Sequence, residues 1–213
     1  MTPAEVKSEL LLMMGERSDY SDARQYLHIS LAEKELAYGL RLHEVRTEGN
    51  IVLITDTRIY SLKDNFPDLY AVTGVYYPTL GRKLSKRGPD YFDRIATFPE
   101  GPPNLYMRYG DYLYLDALPT SNENNTNLYV RYLKLIDDID ENSTAFTLSE
   151  PFHEAILLGA AVRAHRAFRE YEQAEYMKAE YLALVRSRLN AIYEEGMYDD
   201  SFPLAPDLTQ GVI

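Results

Sequence analysis

The sequence contains no cysteine. This absence excludes disulfide bridges, thiolate nucleophiles and cysteine metal ligands, and it leaves no indication of the redox compartment. Long apolar runs are also missing. Near the start of the chain the apolar run is Leu10–Met14, and no stretch approaches the ~18 apolar residues that a membrane span needs. We therefore expect neither a signal peptide nor a membrane partner.

Basic residues are scarce relative to acidic ones. The chain has 22 Lys and Arg against 33 Asp and Glu, which gives a formal net charge of −11. Tight binding to duplex DNA depends on neutralising phosphates with Lys and Arg. The excess of acidic residues therefore argues against tight binding of DNA. Double-stranded DNA could still pass along an acidic surface that repels it. The basic cluster at 82–94 is interrupted by Asp90 and Asp93, which favours a solvated segment.

Catalytic and metal-binding motifs are missing as well. There is no glycine-rich phosphate loop and no Gly-x-Ser-x-Gly. His153-Glu154 begins like a zinc helix motif, but Leu157 stands where the second histidine would be needed. We interpret His153 as a helix-cap or core residue. The acidic run 137–141 lacks the spacing of a calcium loop. We therefore predict no catalytic residue, no cofactor and no metal, so the protein is expected not to be an enzyme.

The chain does have a long helical stretch, Pro151–Tyr193. From Phe152 to Phe168 apolar and small residues cover nearly the whole circumference, whereas beyond Phe168 they thin to a stripe. A helix that is apolar all round is buried on several sides, and a striped helix lies on one surface. The pattern predicts one long central helix, with small residues at 159–161 that would let another backbone come close.

Two helices are predicted at the start of the chain. The segment Thr2–Glu5 forms a capping box with proline at the first helical position, and this helix should end near Gly15. A longer amphipathic helix is predicted over 22 to about 45. Gly49-Asn50 is expected to interrupt the regular secondary structure after this helix.

Between the helices the apolar periodicity changes to two. The runs are rich in β-branched and aromatic residues and are bounded by Asp, Asn, Pro and Gly, which is typical of strands. They are Ile51–Ile54, Ile59–Leu62, Leu69–Val72, Leu105–Met107, Tyr112–Leu115 and Leu128–Leu133. The segment Tyr109-Gly110-Asp111 indicates a hairpin.

The predicted fold class is therefore α+β. A helical bundle, formed by the two N-terminal helices and one long C-terminal helix, comprises residues 1–50 and 137–196. A central antiparallel β-rich insertion comprises residues 51–136. Residues 197–213 follow as an extended tail, because Pro203 and Pro206 exclude a helix interior and a strand centre. This tail is either loose or laid into the groove of a partner.

Tyrosine is abundant and unevenly placed. Of the 19 tyrosines, 16 lie at or after Tyr60, and 6 of these fall between 106 and 132. Tyrosine is enriched at protein interfaces, but a solvated sheet face favours it equally. Assembly and a solvated sheet both remain open on this observation.

In their order, the N-terminal helix pair, the strand block and a helix that opens Phe152–Ala161 resemble the head–tail adaptors of tailed bacteriophages, also called head-completion or neck connector proteins. In that family a segment of the type aromatic-x-Leu-Pro-x-Asp-Phe opens the β region. Here Tyr60–Phe66 holds the corresponding place, with Lys63 where proline is usual and Asn65 between the acid and the aromatic. The resemblance covers about Ser21 to Tyr193.

The resemblance implies a non-enzymatic structural protein of the virion neck, which is in the host cytoplasm during assembly. Such adaptors form a homo-oligomeric ring, usually of roughly twelve copies, that joins the portal protein to a tail or stopper (nozzle) protein and lines the DNA channel. Double-stranded DNA would pass through the ring as cargo. The tail would contact the portal. Its candidate portal-binding residues are Phe202, Pro203, Leu204, Pro206 and Leu208.

Ring formation would use two different faces of each subunit. The candidates for this subunit interface lie along the C-terminal helix; they are Arg163, Arg166, Arg169, Tyr171, Tyr181, Arg186 and Arg188. The arginines could pair with acidic groups of the next subunit, and a merely solvated role is an equal alternative.

Two other classes of function remain as alternatives. A monomeric binding module could recognise a peptide or carbohydrate through the tyrosine-rich sheet at 105–132. A hydrolase could use His153 with carboxylates that meet only in space, which sequence spacing does not reveal.

Overall fold

The computed structural model describes residues 1–194, with side chains up to residue 190. In chain order the helices and strands are α1 (Pro3–Met13), α2 (Asp22–Leu40), β1 (Arg46–Val52), β2 (Ile59–Ser61), α3 (Leu62–Asn65), β3 (Leu69–Tyr77), β4 (Arg82–Lys83), β5 (Ser85–Lys86), α4 (Pro89–Phe92), β6 (Leu105–Tyr109), β7 (Tyr112–Leu115), β8 (Asn127–Lys134), α5 (His153–Ala167) and α6 (Tyr171–Glu194). The predicted α+β class is confirmed. The described chain divides into a helical unit, Met1–Glu44 with residues 136–194, and a β unit, Val45–Leu135.

The first helix forms as its capping box predicts. The hydroxyl of Thr2 accepts a hydrogen bond from the backbone N–H of Glu5 at 3.3 Å, and the carboxylate of Glu5 accepts one from the N–H of Thr2 at 2.8 Å. These bonds satisfy two donors that the helix itself leaves free. The helix ends at Met13, and Gly15 has a positive φ of 70°.

Helix α2 begins at Asp22 as predicted, but its predicted extension to about Val45 is wrong. It ends at Leu40 because Arg41 adopts the left-handed conformation, with a φ of 51°. The N–H of Arg41 then bonds back to the last helical carbonyls, which closes the helix. A 3₁₀ turn at His43–Val45 leads to the first strand.

The prediction of one long C-terminal helix is also wrong. The chain turns at Phe168–Glu170 and makes two helices, α5 and α6. Arg169 takes a φ of 65°, its N–H bonds to the carbonyl of Arg166, and the N–H of Glu170 bonds to the carbonyl of His165 at 2.8 Å. These two bonds form a Schellman motif, whose left-handed position is usually glycine.

The two helices explain the change of character at Phe168. Helix α5 is buried on several sides, whereas α6 buries Ala174 and Val185 and exposes the rest of its circumference to varying degrees. Ion pairs link the near ends of the pair, Arg166 to Glu175, and the far ends, Arg188 to Glu154, so the helices run antiparallel. The change in the apolar pattern at Phe168 therefore corresponds to the boundary between α5 and α6.

The β unit contains two four-stranded sheets. One has the order β1-β8-β3-β4 and the other β2-β7-β6-β5. Pairing is antiparallel as predicted, except that β5 pairs with β6 in parallel. A shared apolar core takes Ile51, Val75 and Val130 from the first sheet, and Leu113 and Leu115 from the second. The predicted β6–β7 hairpin is confirmed, with Gly110 at a φ of 57°.

The expected interruption at Gly49-Asn50 is wrong, since both residues lie inside β1. This strand pairs with β8 from Arg46 opposite Leu133 to Val52 opposite Asn127. Gly49 is needed there for space rather than for a turn. A Cβ on it would lie 2.3 Å from the ring of Phe66.

Candidate functional site

The helical unit carries a groove of about 610 Å³ between α2, α5 and α6. Gly159 lets the three helices converge. A Cβ at this position would lie 3.2 Å from the Cβ of Ala32 and 3.5 Å from the ring of Tyr181. Since packed interiors leave little room for an added side chain, a larger residue would push the helices apart. Gly159 thus leaves room for the side chains of Ala32 and Tyr181.

The floor of the groove is apolar and open to solvent. It includes Leu27 and Leu31 of α2, Val162 of α5 and Leu182 of α6. Leu27 and Leu31 are 51% and 37% exposed. Sequence reasoning missed these two leucines, although their spacing of four residues places them in one row on the helix. That row lies beside the stripe that faces the core, and its exposure depends on how α6 folds back.

The rim of the groove is charged. Arg163 forms an ion pair with Glu35 across α5 and α2, and Arg166 lies 3.1 Å from the carboxylate of Glu175 on α6. Lys178 also borders the groove and has no ion-pair partner among residues 1–190. The rim therefore combines two internally neutralised arginines with one uncompensated positive charge.

Tyr181 closes the groove from the side of α6. Burial raises the pKa of its hydroxyl to about 12, and the nearby carboxylate of Glu35 acts in the same direction while Arg163 opposes it. The side chain is therefore neutral at physiological pH. It serves as an aromatic wall and does not ionise at that pH.

The candidate interface arginines are placed differently from one another. Arg163, Arg166 and Arg188 all pair within the chain, the last with Glu154 at 3.6 Å. Arg169 and Arg186 are exposed and make no ion pair with any described residue. Of the two candidate tyrosines, Tyr171 is 63% exposed at the start of α6, and Tyr181 lines the groove.

The turn between α5 and α6 is held by a polar cluster. The carboxylate of Glu170 lies 2.7 Å from Nδ1 of His165 and 2.5 Å from a guanidinium nitrogen of Arg17. The same guanidinium stacks 4.0 Å from the ring centre of Phe168, which meets Tyr20 edge to face. The cluster joins the α5–α6 turn to the α1–α2 connection and so fixes the groove helices.

His153 occupies a structural position. Its Nε2 lies 3.0 Å from the carbonyl of Leu148, and its Nδ1 lies 3.1 Å from the amino group of Met1. His153 is thus hydrogen-bonded at the start of α5, although Phe152 occupies the N-cap position. The buried carboxylate of Glu33 accepts the N–H groups of Thr147 and Leu148 at 2.6 and 3.0 Å, while burial raises its pKa. Both side chains thus fix the segment before α5.

The acidic run after β8 is also used structurally. Asp138 accepts hydrogen bonds from Lys34 and Ser30, and Asp140 accepts one from the hydroxyl of Ser143 and one from the N–H of Asn142. These bonds lower the pKa of both carboxyl groups. In the part of the chain that the structure describes, no group of three or more His, Asp or Glu could hold a metal ion.

The β unit has both buried and exposed tyrosines. Tyr60, Tyr106 and Tyr132 are buried in its core. Tyr109 and Tyr112 flank the β6–β7 turn and are 64% and 49% exposed. Tyrosine in this unit therefore serves both the core and an aromatic hairpin tip.

The candidate portal-binding residues of the tail lie outside the described residues; they are Phe202, Pro203, Leu204, Pro206 and Leu208. Within 1–194, no helix is both long enough and apolar enough to cross a membrane.

Comparison with known proteins identifies a family. No curated protein matches the sequence significantly. A sequence model described as SU10 adaptor protein matches residues 1–207, which is nearly the whole chain. This agrees with the resemblance to phage head–tail adaptors found in the order of the elements. The chain belongs to the SU10 adaptor protein family.

Proposed function

We propose that this adaptor forms a homo-oligomeric ring in the neck of a phage virion, where it joins the portal protein to a tail or stopper protein. The observation that carries the proposal is the family match over residues 1–207. A structural adaptor family also points to a protein without enzymatic activity. The ring would number roughly twelve copies and would assemble in the host cytoplasm.

The helical unit supplies surfaces suited to such a ring. Its groove exposes Leu27 and Leu31 beside charged groups, and exposed apolar patches with polar rims favour protein contacts. Arg169 and Arg186, which are unpaired among the described residues, add exposed positive charge. We assign this unit to subunit contacts, and the tail beyond Gly196 to the portal.

An acidic chain also suits the proposed passage of DNA. The net charge of −11 would repel the phosphate backbone, so double-stranded DNA could move through the ring without adhering to it. DNA is thus cargo in this proposal, rather than a bound ligand.

Native mass spectrometry tests the proposal directly. The purified protein is measured alone and after mixing with the portal protein of the same phage. Binding of about twelve copies to one portal assembly is expected. A chain that remains monomeric and ignores the portal would contradict the proposal.

A monomeric binding module is the second candidate. The exposed pair Tyr109 and Tyr112 at the hairpin tip favours it, because exposed aromatic side chains often anchor a ligand. In the same measurement this candidate predicts a monomer in the presence of the portal. Binding to peptide or glycan libraries should then be lost in Y109A/Y112A.

A further inference from the structure

Helix α6 presents a second surface on the side away from α5. This outer face consists of Glu172, Tyr176, Ala179, Glu180, Ala183 and Ser187, and all six residues are exposed. They are spaced three or four residues apart, which places them on one side of the helix. The opposite side buries Ala174 and Val185, each 1% exposed.

On the outer face one large aromatic side chain projects beside several small side chains. Tyr176 is 59% exposed and is followed by Ala179, Ala183 and Ser187, whose small side chains would let another helix approach closely. An exposed tyrosine is a typical interface anchor, because it adds contact area with little loss of rotamer entropy.

The charges of the outer face and of the groove are opposite. Glu172 and Glu180 flank Tyr176, and Arg186 lies at the edge of this face. The groove rim has Lys178 without an ion-pair partner in the described region. The aromatic ring of Tyr176 and the apolar floor of the groove could also pack against each other. The two surfaces are therefore complementary in charge, and each offers apolar area to the other.

Helix α6 contributes to both surfaces, from opposite sides. Lys178, Tyr181 and Leu182 face the groove, while Tyr176 and Glu180 point away from it. The outer face therefore cannot fill the groove of its own chain, and a second copy is required. Contacts between two different faces of identical subunits repeat head to tail and can close into a ring.

We propose that the outer face of α6 in one subunit docks into the α2–α5–α6 groove of the next. The inference rests on the proposed ring and deepens it by naming both halves of the subunit contact. Tyr176 would enter between Leu27 and Leu31 of the neighbour, and Glu180 would approach Lys178 of that neighbour.

Cross-linking in the full-length chain tests this contact, because the native sequence has no cysteine. Leu27→Cys is introduced in one preparation and Ala183→Cys in another, so that Tyr176 is kept. The two are mixed on the portal of the same phage and treated with a bismaleimide of about 10 Å reach, a span comparable to the 8–10 Å between packed helix axes. Linked dimers are expected in the mixture but not in either preparation alone.

Two controls sharpen the result. Leu12→Cys replaces Leu27→Cys as a matched site, since Leu12 is 56% exposed on α1 but lies outside both surfaces. It should give at least about tenfold less linked dimer, and Tyr176→Ala added to the original pair should reduce the yield similarly. A chain carrying both cysteines should give a ladder of linked oligomers.

The outcomes separate this inference from the proposed ring. If rings assemble on the portal but the pair links no better than the Leu12→Cys control, the inference is wrong and the ring stands. If Leu27→Cys links instead to Leu204→Cys in the C-terminal segment, the groove belongs to that segment and the inference is also wrong. If no self-association occurs with or without the portal, both are wrong.

Discussion

Gly49 lies in the middle of β1, beneath the ring of Phe66. That ring is 5% exposed and packs 5.0 Å from the ring centre of Tyr132, so it has little freedom to move. Gly159 plays a similar part between α2, α5 and α6, although its closest contact is longer. At the residue scale, the absence of a side chain at these two positions lets neighbouring elements approach.

We expect Gly49→Ala to destabilise the protein by about 1–3 kcal/mol, because the new Cβ must displace a packed ring. Gly39→Ala is the matched control. Nothing lies within 4 Å of a Cβ at Gly39, so alanine should leave stability unchanged or raise it by up to about 1 kcal/mol. Urea unfolding followed by circular dichroism measures both. A Gly49→Ala variant as stable as the native chain would contradict this account.

His28 should make stability depend on pH. Its ring is 9% exposed and lies 2.8 Å from the hydroxyl of Tyr20, and burial lowers its pKa, with Arg24 and Arg163 adding to the effect. The unfolded chain takes up this proton near pH ~6.5, whereas the folded chain resists it. This contribution to stability is therefore complete above about pH 6.5 and decreases as the pH falls below it.

We expect His28→Gln to remove the part of the stability loss at low pH that is due to His28. Denaturant midpoints between about pH 8 and pH 5.5 bracket the unfolded-state titration. His43→Gln is the control, since the side chain of His43 is 66% exposed, and its profile should follow the native one. Parallel profiles for His28→Gln and the native chain would show that His28 is not responsible.

At the scale of elements, the α5–α6 hairpin determines the groove. The turn places α6 back along α5, so that Lys178, Tyr181 and Leu182 face α2. Contacts with Arg17 and with the ring of Tyr20 hold this turn in place. Without it, a continuous helix would carry α6 away from α2 and no groove would form.

The left-handed residue of this turn gives a direct test. We expect Arg169→Val to destabilise the protein by about 1–3 kcal/mol, because a β-branched residue is strained at a φ of 65°. Arg186→Val makes the same change at an exposed helical position and should cost no more than about 0.7 kcal/mol. Arg169→Gly should retain native stability, since glycine accepts this conformation. Thermal unfolding compares the three variants, and equal effects of the two valines would argue against strain at Arg169.

At the scale of the whole molecule, the chain separates self-association from portal attachment in our proposal. The helical unit has the groove and the outer face of α6, both in described residues. The segment after Gly196 has Phe202, Leu204 and Leu208 with two prolines and no basic residue. A segment of this composition is suited to becoming ordered on a partner.

We expect truncation after Gly196 to leave folding intact and to abolish attachment to the portal. Circular dichroism checks the fold, and native mass spectrometry with the portal checks attachment. A chain in which residues 197–213 are replaced by a glycine–serine segment of equal length controls for length alone and should also fail to attach. If the truncated protein still docks, the portal contact lies elsewhere.

Local chemistry in the sequence determined several elements. The capping box at Thr2–Glu5 fixed the start of α1, and Tyr109-Gly110-Asp111 fixed the β6–β7 hairpin, because these signals act over a few residues. Alternation of apolar residues predicted most strands. The apolar pattern also registered the change at Phe168, but without glycine or proline there it did not predict the turn.

The tertiary structure alone decided the turn, the strand through Gly49 and the groove. Glu170 at the turn meets Arg17, which is 153 residues away in the chain. The ring of Phe66 explains why glycine is required inside β1, and Leu31 borders the groove only because α6 folds back toward α2. Such contacts join segments far apart in sequence, so no local pattern contains them, and the surfaces proposed for assembly depend on them.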